Sequence, residues 1–421
     1  MIAANPDLLE AVRDRFAHVA VCPFEGPRVF FENAGGALRL KSVIETSAAH
    51  AGFPDNQGRD NAASKALMDM IAKGKSDMRL FFNAGDAGAV FVGESGTEVL
   101  FRLIRTAALA APAGGVMLGS TLEHPASFSA MTRWSEVTGR PLVRVAHDDA
   151  TGTVEPEAYR EALTPDVRVV SIIHTSPVTG MAVDVPAIAK LVRAVAPNAL
   201  IIVDGIQHAS HGAVDVLACD ADGYAVSPYK MFSRHGYGVG WASARLTAAA
   251  KEQIVGGPTD AWELGTRDSG SYATFSDVVA YLDWLGGEVS EATDPRARIE
   301  AAAEAIADQE AALLEVMLHG AGNISGLVDL PGVTLVGGPR IAGREGVVSL
   351  KLEAMASSDL VQHLQQRGIR VHIRKNDHYS GNVLGPLGMD DCVRVSVSHY
   401  NTVAEVRQFL TAMQEAAAPP V

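Results

Sequence analysis

Residues 199–243 read ALIIVDGIQHASHGAVDVLACDADGYAVSPYKMFSRHGYGVGWAS. An apolar run ends on Asp204, and Gln207 follows three residues later. Lys230 stands 26 residues beyond Asp204 in Ser227-Pro228-Tyr229-Lys230, behind a second apolar run and ahead of a glycine-rich segment. Runs this short, apolar throughout and rich in β-branched residues, predict strands buried on both faces. A strand-end aspartate and a lysine in a loop are each common alone. Each lies at or just beyond the end of an apolar run, which is where the chemistry of a parallel sheet is sought.

The same texture extends outward. Strands are predicted at 88–93, 115–120, 142–147, 167–174, 199–205 and 238–243, with helical patterns between several of them, such as TEVLFRLIRTAALA, EPEAYREAL and VPAIAKLVRAVA. Strand–helix alternation predicts an α/β fold with a mainly parallel sheet covered on both faces, whose ligands sit beyond the carboxyl ends of the strands. After residue 275 the pattern changes to a helix, a break at Pro295 and a long Ala/Glu-rich helix. Short strand-like runs follow (VTLVGG, GVVSLKLE, IRVHIR, CVRVSVS), and VAEVRQFLTAMQEA closes the chain. We expect a large α/β domain over 21–295 and a smaller α+β domain over 296–421, completed by an N-terminal helix within 1–20. Only the tail AAAPPV reads as unstructured.

The 421 residues carry 35 Lys and Arg against 49 Asp and Glu, a net charge of −14, which disfavours nucleic acid and anionic membrane as partners. A basic pocket for a small anion stays open. The composition, 48% hydrophobic and 20% charged, is that of a globular protein. Cys22, Cys219 and Cys392 are too few and too scattered for a disulfide framework, and no CxxC pair suggests zinc. The opening MIAANPDLLEAVRDRF has neither the apolar stretch nor the cleavage site of a signal peptide, and no run is long enough to span a membrane. The expectation is a soluble, cytoplasmic enzyme.

Several motifs fail on spacing or context. Gly74-Lys75-Ser76 would need a glycine at position 69, which is Asp69. In Gly93-Glu94-Ser95-Gly96-Thr97, Thr97 occupies the last glycine of a nucleophile elbow. GAGNISG (320–326) follows a helix, so a helix end and loop explain it better than a dinucleotide site. His208 and His211 lie near Asp204 without further ligands, and no metal is expected.

The Asp204–Gln207–Lys230 pattern resembles the fold type I pyridoxal-phosphate enzymes, and within them the cysteine desulfurase-like branch of the class V aminotransferases. That resemblance implies a large domain with a seven-stranded, mainly parallel sheet and pyridoxal 5'-phosphate as cofactor. It makes Lys230 the Schiff-base lysine, Asp204 the partner of the pyridinium nitrogen and Gln207 a hydrogen bond to the ring hydroxyl. A lysine in that role needs a lowered pKa, and the buried carboxylate keeps the ring an electron sink. FENAGG (31–36) is similar to the family's N-terminal motif beside the active site, which brings in Asn33. Gly96 and Thr97 open a helix after a strand, as a phosphate site would. Glu123-His124 matches a Glu-His pair whose histidine stacks on the cofactor, so Lys230, Asp204 and His124 form the implied catalytic set. Ser227 and Tyr229 are the implied phosphate ligands from the lysine turn, and Thr266 in WELGTRD reaches the phosphate of a neighbouring subunit. The last implies a homodimer with shared sites. Arg394, ahead of HYNT, grips the substrate carboxylate with the planar fork that suits arginine.

Three departures bear on the reaction. Desulfurases carry a persulfide-forming cysteine in a loop, but VHIRKNDHYSGNVLGPLG (371–388) has none, and Tyr379 lies near its place. Pro177 replaces an asparagine near the cofactor and can donate nothing. Arg267 follows Thr266 where desulfurases often have proline, as in epimerase-like relatives, and could bind a second anionic group of a substrate. The leading expectation is β-elimination (a C–S lyase type of reaction) on an amino-acid substrate without persulfide transfer. The alternatives are transamination, then epimerisation or racemisation, and a non-catalytic binding subunit.

Overall fold

The computed structural model describes residues 2–418 apart from 55, 87, 250, 259 and 260. Seven strands form the main sheet: β1 (Ala89–Gly93), β2 (Val116–Ser120), β3 (Leu142–Val145), β4 (Val167–Ile173), β5 (Leu200–Asp204), β6 (Gly223–Val226) and β7 (Gly238–Ala242). Their order is β1-β7-β6-β5-β4-β2-β3. The pairs from β6 to β3 are parallel, and β7 runs antiparallel to both β6 and β1. The six strand runs read from the sequence all lie in this sheet, and β6 is the apolar run ahead of Lys230. β5, β6 and β7 are buried along their whole length, which follows from Leu/Ile/Val runs with helices on both faces.

Helix starts are fixed locally. The Ser95 hydroxyl accepts the Glu98 amide at the head of α1 (Gly96–Ala110). The His124 imidazole accepts the Ala126 amide at the head of α2 (Pro125–Thr138), where Pro125 gives up no needed donor. Beyond the main sheet, α3 (Gly270–Val289) is followed by α4 (Pro295–His319), capped by Asp294.

A second, antiparallel sheet has order β8-β9-β11-β10, from β8 (Val333–Val336), β9 (Val347–Leu352), β10 (His372–Lys375) and β11 (Asp391–Ser396). The run IRVHIR is split. Ile369–Arg370 pairs in parallel with Val29–Phe30, and only His372–Lys375 joins β11. GAGNISG is a two-residue hairpin, Gly320–Ala321 against Ile324–Ser325, and not an open loop. Gly320 and Gly322 both take positive φ, and a Cβ on Gly320 would lie 2.7 Å from the Gly326 nitrogen. The N-terminal helix runs over Pro6–Asp14. Arg13 in its last turn donates to the Tyr400 carbonyl at 2.6 Å, and Phe16 beyond it packs among Phe232, Tyr281 and Tyr400. The closing helix, Val403–Ala417, takes in Ala416 and Ala417, so the expected unstructured tail is shorter than read; residues 419–421 lie outside the described set.

Candidate active site

The carboxyl ends of β5 and β6 are adjacent, with Asp204 paired to Ala225, so the aspartate and the lysine turn Pro228–Lys230 open on one cavity. Lys230 is 8% exposed, and its Nζ donates to Gln207 Oε1 at 3.0 Å. Burial and then the Arg394 charge bring its amine from 10.5 down to about 7, with Asp204 opposing. Asp204 moves the other way. Burial raises its carboxyl to about 7, although the Ile206 amide holds Oδ1 at 3.1 Å. Two residues beyond the lysine, Phe232 sits fully buried at φ 73, a region costly to a side chain of its size. Rings of Phe16, Tyr281 and His399 hold it there and so fix the lysine turn.

Gly96 and Thr97 form the first turn of α1, whose free amides and positive dipole end suit an anion. A Cβ on Gly96 would run into Ser227 Oγ and lie 2.6 Å from Ile206 Cδ1, so glycine lets the helix end meet the lysine turn. Tyr229 stacks on His235 at 4.4 Å between ring centroids and packs on Gly36. His124 is half-buried, and desolvation, then the Lys230 and Arg374 charges, push its imidazole down to about 3. Its neighbour Glu123 is a brace: hydroxyls of Ser120, Ser127 and Ser171 and the Ile173 amide all donate to it.

Arg394 is 3% exposed and forms no ion pair among the described residues. Its Nη1 donates to the Pro177 carbonyl at 3.0 Å, and its Nε has no partner. Pro177, which can donate nothing from its nitrogen, therefore contributes through its carbonyl to the guanidinium. Asn33 is buried, with its amide donating to the Ser396 carbonyl at 2.7 Å and its oxygen accepting from the Tyr400 hydroxyl. That ties FENAGG to β11, and the glycines after it face the site: a Cβ on Gly35 would lie 3.3 Å from Arg394 Nη2. Thr266 is exposed and lines a surface cleft with Asn56, Arg59 and Gly257, while Arg267 pairs with Glu94 just ahead of α1. Within one chain the structure thus brings together Lys230, Asp204, Gln207, His124, Gly96, Ser227, Tyr229 and Arg394, and leaves Thr266 at the surface.

Sequence reasoning passed over Arg374. His372 pairs with Arg394 across β10 and β11, so strand alternation puts Arg374 on the same face, diagonal to Arg394. Arg374 Nε donates to Ser380 Oγ at 2.8 Å, and its charge reaches Lys230 and His124. The register of β10 against β11 was the signal, and it is not local. The loop after β10 is held down: Asn382 donates to the Thr121 carbonyl at 2.9 Å, and the Tyr379 ring lies 6.4 Å from that of His124. Cys392 is buried in β11, with burial pushing its thiol up to about 11.

These features fit a phosphorylated pyridine aldehyde. A buried amine is poised for it, a buried carboxyl at the end of β5 suits the ring nitrogen, the α1 cradle suits the phosphate, and the orphaned Arg394 Nε points to an absent acceptor. They define a fold type I pyridoxal-phosphate enzyme.

The chain belongs to the aminotransferase class-V family, whose model matches residues 29–278 and 290–409. It is 28% identical over 428 residues to the aminotransferase-like protein FGM3 of Gibberella zeae, covering 96% of this chain and 98% of that one. It is 27% identical over 401 residues to a cysteine desulfurase of Synechococcus elongatus, covering 92% of this chain but 60% of that protein. The structure of a cysteine desulfurase from Thermococcus onnurineus NA1 superposes with a TM-score of 0.80 at 20% identity, over 92% of this chain and 94% of that one. Members of this family are pyridoxal-phosphate enzymes, and this chain is a cysteine desulfurase-like one.

Proposed function

We propose that the protein catalyses β-elimination on an amino acid carrying a leaving group at Cβ, of the C–S lyase type, and passes no persulfide to a protein thiol. The observation that supports this reading is the loop after β10, which has no cysteine, carries Tyr379 near the place where the family resemblance expects one, and is pinned against the Glu123-His124 turn. Cys392, the nearest thiol in sequence, is walled into β11 and disfavoured as a thiolate, so it cannot accept sulfur.

Bound pyridoxal phosphate would supply the sink for the electrons left when Cα loses its proton. Lys230, about half neutral at pH 7, would anchor the group, and its free amine would take the proton from Cα. Asp204 would keep a proton on the ring nitrogen, and Gln207 would meet the ring hydroxyl. The α1 amides at Gly96 and Thr97, with Ser227 and Tyr229, would hold the phosphate, and the desolvated His124 ring would lie against the cofactor. Arg394 orients the substrate carboxylate, with the Asn33 segment forming the wall beside it. The net change is an amino acid converted to a 2-keto acid, ammonia and the released group, with water consumed. Exposed Ile254, which lines the cleft with Thr266, and exposed Leu264, two residues before it, support a homodimer in which that threonine would complete the partner's phosphate site and Arg267 would lie at the seam.

Incubation of the loaded protein with a panel of amino acids tests the reaction. A keto acid with free sulfide or another released group is expected. A pyridoxamine form accumulating without release would make it a transaminase, and Cα exchange with inversion would make it an epimerase. Protein that binds no pyridoxal phosphate would refute the enzyme reading altogether.

A further inference from the structure

Behind Lys230 a single file of buried polar groups leads away from the cavity. Lys230 Nζ donates to Gln207 Oε1 at 3.0 Å, Gln207 Nε2 meets His211 Nε2 at 3.0 Å, and His211 Nδ1 meets Glu310 Oε2 at 2.7 Å. Gln207, His211 and Glu310 are 4%, 3% and 2% exposed, so water does not shortcut the chain. The donor inventory fixes its direction. An amide nitrogen only donates, so His211 Nε2 accepts and the ring proton sits on Nδ1, donated to Glu310. Gly346, at φ 57, closes over the pair, where a Cβ would lie 2.9 Å from both Glu310 Oε2 and His211 Cε1.

A second proton on His211 would turn Nε2 into a donor. The Gln207 amide would then have to rotate, giving its oxygen to His211 and its NH2 to Lys230. We propose that His211, oriented by Glu310, is a positioning residue that sets which end of the Gln207 amide faces Lys230, so that its protonation exchanges an acceptor for a donor beside the reactive amine.

The charges around His211 allow that second proton. Glu310 faces it from α4, Glu345 from the loop before β9, Lys230 from the lysine turn, His399 from the segment after β11 and His208 from its own turn. His208 is held by Glu345 at 2.8 Å, so the two carboxylates are divided between two histidines. Burial is the largest single influence and disfavours charge on His211, yet the Glu310 charge and hydrogen bond together with the Glu345 charge outweigh it and raise the imidazole above its ordinary value.

The inference rests on Lys230 being the reactive lysine, and its test does not need turnover. Competitive acetylation of the cofactor-free protein, read at Lys230 by peptide mass spectrometry across pH, gives the titration midpoint of Nζ. Glu310→Gln removes the carboxylate that favours charged His211, so the amide oxygen stays toward Nζ and the midpoint rises by about half a unit or more. Glu310→Asp restores the wild-type midpoint. His211→Asn frees the amide to offer its oxygen, and the midpoint again rises, which decides the matter if Glu310→Gln does not fold. Midpoints within about 0.2 unit of wild type in the folded variants would reduce the pair to core packing. Failure of the chain to take up pyridoxal phosphate would sink the functional reading instead, and the acetylation result would still stand or fall by itself.

Discussion

The pH at which Lys230 becomes reactive follows from three neighbours of known sign. Burial lowers its pKa most, Arg394 lowers it further, and Asp204 pulls it up, leaving it near about 7 instead of 10.5. At pH 8 an ordinary lysine is about 0.3% neutral and Lys230 about 90%, an advantage of roughly 300-fold in reactive amine. Covalent capture of pyridoxal phosphate by the cofactor-free protein, followed by visible absorbance and stopped with borohydride, should therefore rise through a midpoint near neutrality and level off by about pH 8. Arg394→Met deletes a repelling cation, so the midpoint rises but stays below 10.5, because burial persists. Asp204→Asn deletes the attracting anion, so the midpoint falls. Opposite displacements are the signature of a lysine lying between the two charges. A wild-type midpoint near about 10, or both variants moving the same way, would refute this account of the site.

Gly96→Ala should weaken pyridoxal phosphate binding by about tenfold or more while the fold survives, because the new Cβ meets Ser227 Oγ and Ile206 Cδ1 where the helix end must approach the ligand; equilibrium uptake measures it. Glu123→Ala leaves the Ile173 amide and three hydroxyls without their acceptor and opens a cavity, which should cost about 2–4 kcal/mol in denaturant unfolding. After incubation with cysteine, thiol-specific tagging should find sulfide in solution and no persulfide on the protein, and Cys392→Ala should turn over as wild type does; a tagged Cys392 would overturn the lyase reading.

Asp204 and Lys230 could be placed at strand ends from the sequence because the apolar runs ahead of them stand out, while their roles came only from the family resemblance. The strands themselves were legible for the same reason: continuous Leu/Ile/Val runs need no partner information to be recognised. What escaped depends on register between distant segments. IRVHIR reads as one strand, yet Val29–Phe30 captures its first half, 340 residues away at Ile369. Arg374 reads as a surface arginine until β10 is laid beside β11. Asn33 was legible as part of a motif, but the direction of its amide, toward the Ser396 carbonyl, is decided by the far end of the chain.

The charge of −14 and the cavity pull in opposite directions, and the difference explains what the site demands of a ligand. Burial brings both Asp204 and Lys230 to about 7, so each carries only part of its usual charge near neutrality. Among the described residues Arg394 forms no ion pair, and Arg374 stands on the same face of the sheet with hydrogen bonds to Ser380 and the Tyr379 carbonyl, the Tyr379 ring beside it and the Asp377 charge acting on it. A desolvated guanidinium without an anion is costly. The cheapest remedy is a ligand that brings its own negative charge: a phosphate at the α1 amides and a carboxylate at Arg394. An acidic exterior does not oppose this, because charges separated by more than about 8 Å of saline water are largely screened. On the proposed function the site takes both anions, and each would stabilise the folded chain by mass action.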